Sequence, residues 1–387
     1  LGDLGADVIK VEKPGGDLTR NIGPFYHDTP HPEKSLFWFA YNTGKRGITL
    51  NTETKEGQEI FKRLVAEADF VIESFPPGYM DGLGLRYLSL SEINPKIIMT
   101  SITPFGQDGP YKDYKTSDLV SVAMGGLLYI LGEPDKAPVR ISAPQAYLFG
   151  GIAGAGASLV ALWHRQSTGE GQWVDVSIQE SVLWSTCYEI PYWDERKLYK
   201  RAGNWAPRMN IVYRALFPCQ DGYVNYRAYG GVMFGPGQAN LVKAMDDEGI
   251  DVVDLKGADW RERGIENTPQ KDINLFEARV REYFQRHTKN ELLELSKKWN
   301  FMLSVVNTAK DVVNYSQLAE RGFWAEIEHP ELGETIRYPG FYFKSSALCQ
   351  KVKKRAPLIG ENNKEIYENE LGFSKQELAI LKRNNII

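Results

Sequence analysis

The feature that most constrains the fold of this chain is an alternation of short β-branched runs with segments of helical periodicity. The run DVIKVE, from Asp7 to Glu12, ends in a turn-like PGGD, and Gly47 to Asn51 predicts a second short strand. Glu53 to Ala68 has apolar residues at helical spacing, and Phe70 to Glu73 and Lys96 to Ile102 predict two more strands. Apolar strands that alternate with helices form parallel sheets covered on both faces, so the sequence predicts a doubly wound α/β domain.

The chain continues this alternation of strands and helices and then changes to a predicted hairpin. Asp118 to Ile130 and Gly150 to Arg165 predict buried helices, and Trp173 to Ile178 predicts a strand. A hairpin formed by IVYRALFPC and YVNYRAYG is predicted to turn at Gln220 to Gly222. Amphipathic helices and a strand pair follow it. We therefore expect four parts: the first part of a large α/β domain at 1–190, a linker at 191–210, a small α+β domain at 211–317, and a linker with a C-terminal return to the large domain at 318–387.

Composition limits the classes of partner. The 387 residues are 42% apolar, enough for a substantial core, and 46 Lys and Arg against 50 Asp and Glu give a net charge of -4. This balance argues against general binding to nucleic acid or to a membrane surface, and favours small ligands and protein partners. No apolar run is expected to approach the roughly 20 residues of a membrane span, and no signal peptide is recognised. A cytoplasmic location is the expectation.

The cysteines and histidines predict neither disulfides nor a metal site. Cys187, Cys219 and Cys349 are far apart and odd in number, which favours buried thiols in a reducing compartment. The five histidines show no HExxH pattern or other close pairing on a predicted helix. No GxSxG elbow is present, so hydrolysis by a Ser-His-Asp triad lacks its usual local context.

Three further groups of residues, one of glycines, one of aromatic residues and one of basic residues, each allow a functional and a structural interpretation. A glycine cluster suits close helix packing better than a dinucleotide loop, because it lacks GxGxxG after a strand. A group of aromatic residues either lines a substrate pocket or interface, or packs in a core or linker. Basic residues either meet the phosphates of a nucleotide-like cofactor or are solvated surface charge. The three groups are, in that order, Gly150, Gly151, Gly154 and Gly156; Tyr188, Tyr192, Trp193, Tyr199 and Trp205; and Lys45, Arg46, Lys351, Lys353, Lys354 and Arg355.

Several blocks of the chain occur in a recognisable order. They read LGDLGADVIKVEKPGGDLTR, FWFAYNTGKRGITLN, ADFVIESFPPGYMDGLGL, YKTSDLVSVAMGGL, TGEGQWVDVSIQES and RAPLIGENN. In order and spacing they resemble the signature blocks of family III CoA-transferases, the formyl-CoA transferase and carnitine CoA-transferase group. The likeness extends over nearly the whole chain and is weakest between about Tyr199 and Lys310.

The resemblance implies a fold and a chemistry. It implies a doubly wound α/β large domain, a small domain, and two chains threaded through one another as interlocked rings. Coenzyme A and acyl-CoA are expected as substrates, with no separate bound cofactor. In this family an aspartate attacks the donor thioester, forms a mixed anhydride and then carries CoA transiently as an enzyme thioester. Because the chain begins at Leu1, we expect further CoA contacts to lie upstream of it.

The residues at the family's functional positions depart from its pattern. Counting back from TGEGQ, the nucleophile position falls on Tyr147, and no Asp or Glu occurs between Asp135 and Glu170. A phenol with a pKa near ~10 cannot replace a carboxylate at neutral pH, so no catalytic residue is assigned. The resemblance also places CoA contacts at four residues. Lys13 and Phe75 keep the kind of residue that the family has at these positions. Ser74 replaces the family's asparagine, and Gly82 replaces its arginine.

Three hypotheses follow. In the first, the chain is the Asp-lacking subunit of a heteromeric CoA-transferase of the succinyl-CoA:benzylsuccinate type, and a homologous partner supplies the aspartate. In the second, the chain is a self-sufficient acyl-CoA isomerase, lyase or transferase that uses another acid, such as Glu73, Asp118 or Glu189. In the third, it is a non-catalytic acyl-CoA-binding protein. The family's racemase branch is disfavoured, because its histidine position appears as Ser117.

Overall fold

A computed structural model describes residues 1–196, 201–208, 211–264, 266–347 and 354–387. Four residues of interest, Tyr199, Cys349, Lys351 and Lys353, lie outside these ranges. The strands are β1 Val8–Glu12, β2 Lys45–Thr49, β3 Phe70–Glu73, β4 Ile98–Thr103, β5 Gln172–Ser177, β6 Trp205–Arg208, β7 Ile211–Arg214, β8 Leu216–Cys219, β9 Gly222–Asn225, β10 Ser304–Val305, β11 Trp324–His329 and β12 Glu334–Pro339.

The helices are interleaved with these strands. They are α1 Leu36–Tyr41, α2 Lys55–Glu67, α3 Tyr79–Gly82, α4 Tyr87–Ile93, α5 Asp118–Met124, α6 Gln145–Thr168, α7 Ile178–Trp184, α8 Glu189–Arg196, α9 Gly231–Asp247, α10 Gln270–Gln285, α11 Lys289–Trp299, α12 Ala309–Val313, α13 Ser316–Glu320 and α14 Lys375–Arg383. A π-helical segment spans Lys364–Glu370.

The chain divides into two compact units. The first comprises Leu1–Ser121, Pro144–Trp184 and Tyr315–Ile387, and the second comprises Val122–Ala143 and Ser185–Asn314. The second unit includes Val122–Ala143 and begins again at Ser185, where the sequence predicts the large domain, and it ends at Asn314 rather than at residue 317. The segment Val122–Ala143 contacts the rest of the second unit: Glu133 accepts a hydrogen bond from the backbone N–H of Asn204, at 3.3 Å.

The first unit is the predicted α/β structure with parallel strands. β1 pairs with β2, and β4 lies between β3 and β5, and these three pairings are parallel. The predicted strand pair near the C-terminus is present as β11 and β12, which are antiparallel. The predicted helix after β2 is confirmed as α2. It begins where the Thr54 hydroxyl accepts the Gly57 N–H at 3.0 Å, and its apolar side, including Ile60 and Val65, is buried.

A buried ion pair ties the beginning of the first unit to its C-terminal segment. The guanidinium of Arg20 is fully buried and contacts both carboxylate oxygens of Glu12, at 2.7 and 2.8 Å. It also donates to Glu33 and to the carbonyl oxygen of Pro357, and it lies over the ring of Trp38. A buried charge is tolerated when it is paired and hydrogen-bonded in this way. The network fixes the loop that follows β1.

Helix α6 packs on β4 and runs antiparallel to it. A Cβ at Gly154 would lie 2.5 Å from Cδ1 of Ile102, which shows how closely the helix approaches the strand. One turn further on, the hydroxyls of Ser158 and Thr100 are 2.7 Å apart. The contact therefore moves toward the start of β4 as α6 proceeds. The N-terminus of α6 consequently lies at the carboxyl end of the parallel strands.

The glycine cluster of α6 serves helix packing on one side only. A Cβ at Gly150 would lie 2.8 Å from Cγ1 of Ile178, so Gly150 and Gly154 permit close contact with the sheet. Gly151 and Gly156 have no atoms within 4 Å of a built Cβ. The interpretation as helix packing is thus supported for two of the four glycines.

Two expectations about the apolar helices are wrong. Helix α6 has 24 residues and is apolar and long enough to cross a bilayer by length and composition alone. Only 28% of its most apolar 18-residue stretch is buried, and the side chains of Ile152, Val160 and Trp163 are exposed. Helix α6 is therefore not a fully buried helix. Asp118 to Ile130 is not one helix either. Helix α5 ends at Met124, because Gly126 adopts a positive φ of 86° before a short 3-10 turn.

The second unit contains the antiparallel strands and amphipathic helices of the predicted small domain. The hairpin of β8 and β9 turns at Gln220 and Asp221, as predicted, and β10 extends it. A core of aromatic side chains, including Phe217, Tyr226 and Phe284, lies between this sheet and helices α9 to α11. The expected linker at 191–210 is wrong in its described part. It contains most of α8 and also β6, which pairs with β7.

Candidate functional site

The side chain at the predicted nucleophile position lies where the parallel strands end. Tyr147 is in the first turn of α6, one turn before Gly150 on the side of the helix that faces the sheet. Since α6 is antiparallel to β4, this turn lies beyond the carboxyl ends of β4 and β5. Ligands of open α/β sheets bind at this edge. The position of Tyr147 therefore suits a site residue, although its chemistry does not.

The helix turn that carries Tyr147 is held by a carboxylate from α5. Oδ1 of Asp118 accepts the backbone N–H of Ala146 at 2.8 Å and that of Tyr147 at 3.3 Å. Burial raises the pKa of the Tyr147 phenol, and the Asp118 carboxylate raises it further. The phenol therefore stays protonated at neutral pH. Asp118 in turn caps a helix N-terminus, where a negative charge is stabilised.

Another acid at the same edge is already engaged by the protein. Glu73 ends β3, is 9% exposed, and its Oε2 accepts the backbone N–H of Phe75 at 2.7 Å. Burial raises its pKa, although a hydrogen bond with Ser101 opposes that effect. Ser101 lies opposite Glu73 in the sheet and also accepts the indole N–H of Trp173 at 3.0 Å. This chain of hydrogen bonds fixes the segment that follows β3.

Two predicted CoA contacts are joined through residues that sequence reasoning missed. Nζ of Lys13 lies 2.7 Å from Oε1 of Glu53, and the same oxygen accepts the hydroxyl of Tyr79 at 3.0 Å. The ring of Tyr79 lies 4.6 Å from that of Phe75, at an interplanar angle of 30°. Lys13 and Phe75 follow the carboxyl ends of β1 and β3, and that placement is the signal that would have pointed to their convergence.

The two altered positions are open to solvent. Ser74 is exposed, and Gly82 ends the short helix α3 that Tyr79 begins. A Cβ built at Gly82 would meet no atom within 4 Å, so packing does not require glycine there. Among the described residues, no hydrogen bond or ring contact links either position to Tyr147. The structure thus groups Lys13, Phe75 and Gly82 around α3 and leaves Tyr147 separate from them.

The basic residues near β2 are paired within the chain. The guanidinium of Arg46 contacts carboxylates of Asp7, Glu365 and Glu370. The ammonium of Lys45 donates to the carbonyl oxygen of Tyr41 and to Oδ1 of Asn42, each at 2.9 Å. Arg355 is likewise paired, with Glu331 and Glu361. Internal ion pairing, rather than contact with phosphates, accounts for Arg46 and Arg355.

The remaining candidates lie elsewhere. Glu189 begins α8 in the second unit, and burial raises its pKa. Of the aromatic group, Tyr188, Tyr192 and Trp193 are exposed to more than 40%. Within the described residues, no group of three or more His, Cys, Asp or Glu side chains could hold a metal ion.

A cavity of about 380 Å³ lies at the opposite edge of the sheet. Its lining includes Asp69 and Lys96, which precede β3 and β4, and Arg165, near the end of α6. The guanidinium of Arg165 bonds to Oδ1 of Asp69 at 2.7 Å and to the carbonyl oxygen of Lys96 at 2.8 Å. These contacts close the amino ends of the strands. The cavity is therefore distinct from the carboxyl-edge site.

The fold is that of an α/β protein with parallel strands, and the candidate site residues lie at the carboxyl edge of those strands. Comparison with known proteins gives the family. The chain belongs to CoA-transferase family III, whose family model matches residues 1–363.

Several known proteins match this chain over nearly its whole length. The chain is 36% identical to the succinyl-CoA:(R)-benzylsuccinate CoA-transferase subunit BbsE of Thauera aromatica, over 98% of this chain and 91% of that one. It is 30% identical to the beta subunit of succinyl-CoA–L-malate CoA-transferase of Chloroflexus aurantiacus, over 100% and 93%. A CAIB/BAIF family protein from Brucella suis superposes with a TM-score of 0.78 and 33% identity, covering 94% of this chain and 92% of that one.

Proposed function

We propose that this chain is the non-catalytic subunit of a heteromeric family III CoA-transferase. A homologous partner subunit supplies the aspartate nucleophile. The observation that carries the proposal is the residue at the first turn of α6, where Tyr147 stands at the family's nucleophile position with a raised pKa. The similarity to two relatives named as subunits of transferases supports it.

The reaction requires a carboxylate that attacks a thioester. In the family's mechanism, the aspartate attacks the acyl carbon of the donor and CoA leaves as a thiolate, which yields a mixed anhydride. The thiolate then attacks the aspartyl carbonyl of the anhydride, which forms an enzyme thioester and releases the donor acid as its carboxylate. The acceptor carboxylate displaces CoA from this thioester to give a second anhydride, and attack of the CoA thiolate on its acceptor carbonyl forms the new acyl-CoA and frees the aspartate. A neutral phenol offers no comparable nucleophile. We propose succinyl-CoA as the donor and an aromatic or branched dicarboxylate such as benzylsuccinate as the acceptor.

The partner is proposed to cover the free side of α6. Ile152, Val160 and Trp163 are each exposed to 70% or more along this side. A contiguous exposed apolar surface of this kind marks an interface. The proposed assembly is an interlocked pair of homologous chains in the cytoplasm, without nucleic acid or membrane as a partner.

Reconstitution of activity tests this function. The purified chain alone is expected to transfer no CoA from succinyl-CoA to benzylsuccinate. Co-expression with the Asp-bearing homologue of its own host is expected to yield transfer, and an Asp→Asn change in that homologue is expected to abolish it. Transfer by the purified chain alone, at a rate comparable to the co-expressed pair, would contradict the proposal.

Glu73 supports a second candidate, a self-sufficient enzyme. It is a buried acid at the carboxyl edge with a raised pKa, which is a common property of catalytic carboxyl groups. Its hydrogen bond from Phe75 gives it a structural role as well. If the chain is active alone, a Glu73→Gln variant distinguishes the roles. If Glu73 is catalytic, the variant is expected to lower kcat. If Glu73 only positions the segment after β3, the variant is expected mainly to raise KM.

A further inference from the structure

The face formed by Lys13, Glu53, Phe75, Tyr79 and Gly82, here called the α3 face, contains a cation that the protein neutralises itself. Lys13 and Glu53 are about half exposed, at 53% and 49%, and their charged atoms are 2.7 Å apart. The hydroxyl of Tyr79 donates to the same carboxylate oxygen at 3.0 Å. The carboxylate thus occupies the position from which an anionic ligand would contact Lys13.

The loop that carries Glu53 is anchored on both sides of the contact. The backbone N–H of Glu53 donates to Oδ1 of Asn51 at 3.2 Å, and the N–H of Asn51 donates to the carbonyl oxygen of Ile386 at 2.7 Å. Thr54 caps α2 immediately afterwards. The direction of the Glu53 side chain therefore follows from fixed backbone on either side of it, as well as from its ion pair.

The rest of the α3 face is open. Phe75 is 41% exposed and stacks beside Tyr79, and an added side chain at Gly82 would meet no neighbour. An exposed aromatic ring, Phe75, backed by the partly buried Tyr79 and next to a cation, suits a ligand that contains a base and a phosphate. The steric conditions for such a ligand are present, whereas the net charge presented by Lys13 and Glu53 together is zero.

Each member of the ion pair favours the charged form of the other. The hydrogen bond with Glu53 raises the pKa of Lys13, and the hydrogen bonds with Lys13 and Tyr79 lower the pKa of Glu53. Glu53 therefore remains ionised throughout the neutral range. A phosphate that approaches Lys13 meets this carboxylate at close range, where like charges repel.

We propose that Glu53 is an internal counter-ion that excludes phosphate-bearing ligands from the α3 face and so keeps CoA affinity low in this subunit. The inference rests on the proposed function, since it takes the α3 face to be this chain's version of the family's CoA site. It adds a specific cause of weak binding. Removal of this one carboxylate leaves the half-exposed Lys13 ammonium without its counter-ion.

Calorimetric titration of CoA into the purified assembly tests the proposal. Glu53→Gln removes the charge and keeps an amide able to accept from Tyr79. It is expected to raise CoA affinity roughly three- to tenfold at low salt. The matched control is Glu56→Gln, which removes an exposed carboxylate from the first turn of α2. It is expected to change the affinity less than twofold.

Three further measurements identify the cause. The double variant Lys13→Met/Glu53→Gln is expected to lose the gain, because the exposed cation is then absent. Pantetheine, which has no phosphate, is expected to bind the original chain and Glu53→Gln equally. The gain is also expected to shrink at about 0.5 M salt, because the ions screen exposed charges.

The outcomes separate this inference from the proposed function. An unchanged or lower CoA affinity in Glu53→Gln, or an equal gain in Glu56→Gln, would overturn the role of Glu53. So would a failure of both the original chain and Glu53→Gln to bind CoA. None of these results bears on which subunit carries the acyl group. That question is answered by trapping the acyl-enzyme in the presence of succinyl-CoA and identifying the modified subunit.

Discussion

Tyr147 stands at the proposed nucleophile position, and its phenol is not a carboxylate. It lies on the sheet-facing side of α6 at the carboxyl edge, and Asp118 fixes the backbone around it. The position could be predicted from the TGEGQ block, since it depends on a fixed count along one helix. The surroundings could not, because Asp118 is 29 residues away in the chain and reaches Tyr147 only through the fold.

Substitution of Tyr147 is expected to have little effect in either direction. In the co-expressed assembly, Tyr147→Phe should leave kcat/KM for CoA transfer within about twofold, because a protonated phenol provides no nucleophile. In the isolated chain, Tyr147→Asp should produce little or no transfer, because Ser74, Gly82 and the Lys13–Glu53 pair also alter the CoA site. Steady-state assays with succinyl-CoA check both expectations.

The same assays can contradict the account. A loss of more than tenfold in Tyr147→Phe, with an unchanged unfolding midpoint, would give the hydroxyl a role in the reaction. Substantial transfer by Tyr147→Asp alone would mean that the nucleophile is the only missing part. The first result would contradict an inert Tyr147, and the second would remove the argument from a degraded CoA site.

Among the elements, the strands and helices of the first unit were the most predictable from the sequence. Strands β1 to β5 have short β-branched runs, and α2 has clear helical spacing with a Thr54 cap. The exposed side of α6 was not predictable. An apolar helix reads as buried from sequence, and composition does not distinguish contact with this chain's own core from an interface.

The glycines of α6 provide a matched test of its packing. Gly154→Ala places a Cβ 2.5 Å from Ile102 and should lower the free energy of unfolding by about 1–3 kcal/mol, the range for overpacking. Gly151→Ala meets open space and should be neutral or stabilising by up to ~1 kcal/mol, since alanine favours helix. Urea unfolding of both variants measures the difference. Equal destabilisation of the two would contradict the close contact of α6 with β4.

At the scale of the whole molecule, the chain keeps the family's fold, and the proposed divergence is confined to a few site positions. The family model extends over residues 1–363, and the relatives match over nearly their whole length. The order of the sequence blocks was sufficient to predict the family. The pairing of Lys13 with Glu53 was not predictable, because 40 residues separate them and the contact forms only when β1 and β2 lie side by side.

The measurement that tests the central claim most directly is native mass spectrometry of the protein purified from its own host. It would be followed by a hydroxylamine or borohydride trap of the acyl-enzyme in the presence of succinyl-CoA. The account predicts a heteromer in which the trapped adduct is confined to a homologous Asp-bearing partner. A homo-oligomer with the adduct on this chain would contradict the account, and the modified residue would identify the nucleophile that replaces the missing aspartate.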